Sequence, residues 1–84
     1  MTSVVLTKQA QKELRKLPRN VRIRIIEKIE WYSHQENPLH FADTLSGEDE
    51  QLYRFRIGTY RIIFEVTDNT IRILKISHRR DVYK

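Results

Sequence analysis

Cysteine is absent from this 84-residue chain. That removes disulfides, thiolate metal ligands and thiol nucleophiles, and it fits a reducing compartment. Only two glycines are present, Gly47 and Gly58, so there is no glycine-rich loop to cradle a nucleotide phosphate, and no serine sits in a G-x-S-x-G elbow. No apolar run approaches the roughly 18 residues needed to span a bilayer. The opening residues, MTSVVLTKQAQ, carry neither a basic leader nor a long apolar segment, so a cytoplasmic protein with no membrane partner is expected. The three histidines, His34, His40 and His78, lack ligand-like spacing, and the clustered acids, Asp43, Glu48, Asp49 and Glu50, lie in one segment. No metal site is expected, and no small-molecule cofactor. A chain this short closes one core and little more, so residues 1–84 are expected to form a single domain without a deep enclosed pocket.

What the chain does have is positive charge. Sixteen lysines and arginines against eleven acids leave a formal charge of +5, which points to a polyanion or an acidic protein as partner.

Residues 3 to 6, SVVL, read as a short strand, and Thr7 offers an N-cap hydroxyl to a helix in which Ala10, Leu14 and Leu17 recur at helical spacing. Pro18 marks the end of that helix and the start of a second, because proline is tolerated in a first turn but not in a helix interior. Val21, Ile25, Ile29 and Tyr32 then form an apolar stripe, with Ile26 beside it. The segment ENPLHFADTLSGEDEQ, residues 36–51, breaks the period with Pro38 and Gly47 and collects Asp43, Glu48, Asp49 and Glu50. It reads as a connecting loop.

The remainder alternates like strands. Residues 52 to 57 and 60 to 67 flank a tight turn at Gly58-Thr59, and Asp68-Asn69 separates the second run from a third at 70 to 77. The predicted fold class is therefore α+β: an N-terminal strand, a two-helix hairpin, then a three-stranded antiparallel meander, with the helices on one face of the sheet. The N-terminal strand is expected to add a fourth strand.

A two-residue loop at Gly58-Thr59 pairs Ile57 with Tyr60, Arg56 with Arg61, Phe55 with Ile62, Arg54 with Ile63 and Tyr53 with Phe64, and side chains sort by parity. Tyr53, Phe55, Ile57, Tyr60, Ile62, Phe64 and Val66 should face the helices, joined by Ile71 and Ile73. Arg54, Arg56 and Arg61 should share the other face with Ile63, Glu65, Arg72, Leu74 and Ile76, and with His78 if the last strand keeps its pleat. Glu65 opposite Arg72 is an ordinary stabilising pair, whereas Arg56 opposite Arg61 costs on the order of several tenths of a kcal/mol. A guanidinium cluster able to grip phosphates bidentately accounts for that choice. So does a solvated face whose arginines splay apart, and the pattern alone leaves both open.

The chain ends ISHRRDVYK. His78 can give or take a proton near neutral pH, Tyr83 can act as a base where cations stabilise its phenolate, and Arg79 and Arg80 suit growing negative charge. Metal-free RNA cleavage needs such a set: a base for the ribose 2′-hydroxyl, cations around the phosphate and an acid for the leaving 5′-oxygen. Surface positions are expected for His34 and His40.

The stretches LYRFRIGTYRIIFEV and IRILKISHRRDVY, with the preceding LSG and the order strand, two helices, three strands, resemble the RelE/ParE superfamily of bacterial and archaeal toxins over nearly the whole chain. The resemblance, closest to the RelE branch, implies a type II toxin that cuts messenger RNA in the ribosomal A site and is silenced by a cognate antitoxin. By position, Arg54 and Arg56 match a basic pair that contacts substrate phosphates, commonly as lysines, and Arg61 matches the arginine that stabilises the transition state. Tyr83 matches a C-terminal tyrosine considered a general base. His78 and Arg79 fall near a further basic position, and His78 matches in kind the acid of the related YoeB branch. Arginines in place of the lysines keep phosphate binding but leave Tyr83 and His78 as the proton carriers. The sequence lacks the C-terminal helix of many relatives, so Tyr83 is expected to be less firmly held. The alternative implied by the same superfamily is a ParE-like inhibitor that binds DNA gyrase and cuts nothing.

Overall fold

The computed structural model describes residues 2–45 and 51–80. Strand β1 (Ser3–Leu6) leads into helices α1 (Lys8–Arg15) and α2 (Arg19–Ser33), a 3₁₀ turn at Pro38–Phe41, and strands β2 (Asp43–Leu45), β3 (Leu52–Ile57), β4 (Tyr60–Thr67) and β5 (Thr70–His78). They form one five-stranded sheet in the order β1-β5-β4-β3-β2. Strand β1 lies parallel to β5, while the β2–β3, β3–β4 and β4–β5 pairs are antiparallel. The α+β class holds, with a strand more than expected: Asp43–Leu45, read from sequence as loop, pairs with β3. Three residues are too few to display a period of two, so only the pairing reveals them.

Local chemistry sets the element ends. The Thr7 hydroxyl accepts the amide N–H of Ala10 at 3.1 Å, capping α1 as expected, and its own amide donates to the carbonyl of Ile73 at 3.0 Å, tying the cap to β5. Pro18 stands at the N-cap of α2.

All five pairs predicted across the β3–β4 hairpin are present. Gly58 takes a φ of +59° at the head of the two-residue loop, where a left-handed backbone favours glycine. A Cβ there would meet nothing closer than the Arg24 guanidinium at 3.8 Å, so the cost of Gly58→Ala is conformational. It should lower stability by about 1 kcal/mol, read as a lower urea midpoint at unchanged slope. The second hairpin turns at Asp68 and Asn69, both with positive φ (48° and 62°), residue types that tolerate it.

The helices and sheet share one core. Ala10, Ile25, Ile29 and Tyr32 from the helices meet Phe55, Ile57, Ile62, Phe64, Ile71, Ile73 and Ile76 from the sheet. At its centre Tyr32 stacks on Phe55 and Phe55 on Phe64, each pair with centroids 4.3 Å apart.

One register shift corrects the expected faces. Ile63 faces Lys75 but Phe64 faces Ile73, so Leu74 is an extra, unopposed residue. A bulge of one residue inverts the parity of everything after it. Ile76, expected beside the arginines, therefore enters the core at 4% exposure, and His78 lies opposite Tyr60 on the helix-facing side. No helix among the described residues is long and apolar enough to cross a membrane.

Candidate functional site

The sheet face away from the helices carries Arg54 and Arg56 on β3 and Arg61 on β4, because alternate residues of a strand point to opposite sides. Arg56 stands directly opposite Arg61, and Arg61 is in turn opposite Ser77 of β5. Further along the same face Glu65 and Arg72 form the expected ion pair at 2.8 Å.

The sequence did not reveal the counter-charge of the first two arginines. Asp43 on β2 lies directly across from Arg54, and its Oδ2 accepts from Arg54 Nη2 at 3.0 Å, from Arg54 Nε at 3.3 Å and from Arg56 Nε at 2.9 Å. The Arg54 hydrogen bond, followed by the charges of Arg56 and Arg54 and the Arg56 hydrogen bond, holds the Asp43 carboxyl below its ordinary pKa against a contrary desolvation effect. The signal available in the sequence was an acid eleven residues before an arginine, in a segment whose pairing could not be read.

The end of the sheet beside the Gly58-Thr59 loop gathers the remaining candidates. The Arg79 amide donates to the carbonyl of Thr59 at 2.7 Å, which pins the end of β5 against the hairpin next to the Arg56–Arg61 pair. The amide of Arg80 donates to His78 Nδ1 at 3.2 Å. An accepting Nδ1 leaves the proton of the neutral ring on Nε2. The His78 ring meets Tyr60 edge to face at 5.1 Å, in a cleft of 390 Å³ lined also by Glu13, Lys16, Leu17, Ile76 and Ser77. Glu13 Oε1 accepts the amide of Ile76 at 2.9 Å, which ties α1 to β5 beside the cleft. Arg61 and His78 thus occupy the same end of the sheet on opposite faces. Arg79 and Arg80 are exposed there. Tyr83 lies outside the described residues, as do the loop acids Glu48, Asp49 and Glu50. His34 and His40 are exposed, as expected. Among the described residues no three acids or histidines are grouped to hold a metal ion.

Comparison with known proteins agrees with this architecture. The family described as ParE toxin of type II toxin-antitoxin system, parDE, matches residues 4–83. Toxin RelG of Mycobacterium tuberculosis is 30% identical over 84 residues, covering 98% of this chain and 95% of that one. Toxin RelE3 of Methanocaldococcus jannaschii is 32% identical over 83 residues, covering 95% and 93%. Among solved structures, the archaeal RelE-RelB complex from Pyrococcus horikoshii contains a chain that superposes with a TM-score of 0.75 at 34% identity, covering 93% of this chain and 94% of that one. With a five-stranded sheet, two helices on one face and arginines on the other, the chain belongs to the ParE toxin family, within the RelE/ParE superfamily of type II toxin-antitoxin toxins.

Proposed function

We propose that this toxin acts in the cytoplasm as a ribosome-dependent endoribonuclease that cuts translated messenger RNA without a metal or cofactor, residues 1–84 working as one domain. The observation that carries the reading is the arginine face: three guanidinium groups on the side of the sheet away from the helices, with two more arginines and a histidine at the same end. Such a set suits a phosphodiester held and cleaved in place.

In the proposed step Arg54 and Arg56 hold the backbone phosphates. Tyr83, reacting as its phenolate, takes the proton of the ribose 2′-hydroxyl. The 2′-oxygen attacks phosphorus, the bond from phosphorus to the 5′-oxygen breaks, and a 2′,3′-cyclic phosphate forms. Arg61 carries the charge that grows on the phosphoryl oxygens, assisted by Arg79 or Arg80. His78, as the imidazolium, gives a proton to the departing 5′-oxygen. Its position at the rim of the sheet requires the RNA to cross that end rather than lie flat on the arginine face. DNA has no 2′-hydroxyl and is spared.

The partners proposed are the ribosome with its message, and a cognate antitoxin that covers the cationic face with acidic and apolar residues. Relatives solved as RelE-RelB complexes support an antitoxin partner. The description of the matching family as a parDE toxin favours a second reading, inhibition of DNA gyrase by binding. Fold does not separate the two, but an assay does. Purified toxin added to a translating extract should produce new 5′ ends within codons of the message, mapped by primer extension, and should leave gyrase supercoiling unchanged. Intact message with blocked supercoiling would overturn the nuclease reading in favour of the second.

A further inference from the structure

The Arg54–Arg56 pair already holds an anion. A single oxygen of Asp43 receives three N–H groups from the two guanidiniums at 2.9 to 3.3 Å, the arrangement in which guanidinium groups receive a phosphate oxygen. The strand register, Asp43 directly across from Arg54, brings the carboxylate there. The two arginines are unequal partners: the Arg54 side chain is 18% exposed and Arg56 63%. Arg54 is therefore the anchored donor and Arg56 the one that faces solvent. Asp43 itself is 46% exposed, and ion pairs this open are weak and exchangeable.

We infer that Asp43 is a built-in competitor for RNA phosphate, seated in the two-arginine phosphate site and displaced by side-chain rotation when a phosphodiester enters. This inference rests on the reading of Arg54 and Arg56 as RNA contacts. With Asp43 in place the pair presents one net positive charge instead of two, and the repulsion between neighbouring guanidiniums is relieved. A free phosphodiester must evict the carboxylate to bind, so loose single-stranded RNA is held weakly. A message fixed by its own contacts to the ribosome presents its phosphate at high effective concentration and wins the exchange. Asp43 thereby biases the toxin toward positioned substrate.

Binding and stability together test this. A fluorescent single-stranded RNA carrying 2′-O-methyl groups, and so uncleavable by 2′-attack, is titrated with wild-type protein, Asp43→Asn, and the double variant Arg54→Ala/Arg56→Ala over a range of salt. Asp43→Asn should bind about three to five times tighter, with a slope of log affinity against log salt steeper by about 0.7, the value for one more phosphate contact on a single strand. Its urea midpoint should fall at the same time, because an ion pair has been lost. A carboxylate that merely positioned the arginines would instead lose affinity and stability together, and that result overturns the inference. If the double variant loses binding while Asp43→Asn binds like the wild type, the inference falls and the reading of the arginines stands. If the double variant binds as tightly as the wild type, both fall.

Discussion

Arg61→Ala should cut ribosome-bound message about 10² to 10³ times more slowly than the wild type, the usual loss when one preorganised group is removed from a developing anion. The loss should appear in kcat, since Arg61 is assigned to charge that exists only in the transition state, while Arg54 and Arg56 supply ground-state binding. Arg61 is a half-buried residue of β4 that stands across the ladder from Arg56. The variant should remain folded, checked by circular dichroism, so that the rate is read on folded protein. Arg61→Lys should recover only part of the rate, because an ammonium keeps the charge but loses the planar fork that meets two phosphoryl oxygens. Wild-type kcat in Arg61→Ala would remove this residue from the mechanism. Loss of the folded domain together with the rate would instead mark it as structural.

The hairpin that carries Arg61 was the part of the fold most legible in the sequence. Gly58 set a two-residue loop, the alternation on either side was unbroken, and so all five cross-strand pairs followed. Parity is exact only while no residue is inserted. The extra residue at Leu74 carries no side-chain signature, since leucine suits either face, and past it every assignment inverted: Ile76 into the core and His78 away from the arginines. Asp43 was illegible for a different reason. Its function depends on a pairing across eleven residues, in a strand of three, and neither feature leaves a periodic trace. The cationic face could thus be read from local alternation, whereas its counter-charge and the orientation of its histidine needed tertiary contacts.

Phe55→Ala should bring the domain close to unfolding. The ring has no exposed surface and lies between Tyr32 of α2 and Phe64 of β4, stacked at 4.3 Å on each, so its loss removes the layer that joins helix to sheet. Truncations of this kind cost about 3 to 5 kcal/mol, against a total of about 5 to 15 kcal/mol for a domain. Much of the cost should be the cavity, because neither flanking ring can move inward without leaving its own contacts: Phe64 is held by Tyr53 and Tyr32 by Phe41, at 5.6 and 5.5 Å. Phe55→Leu, which refills most of the volume, should therefore cost about 1.5 kcal/mol or less. The urea midpoints of the two variants check the comparison, and equal losses would show that aromatic stacking rather than volume holds the layer. The position of Phe55 in the chain links this to function. It lies between Arg54 and Arg56, facing the core while they face outward, and is the residue that fixes β3 in the pleat both arginines need. In Phe55→Ala, RNA affinity should fall with the folded fraction, whereas in Phe55→Leu, with the strand still anchored, it should stay close to that of the wild type.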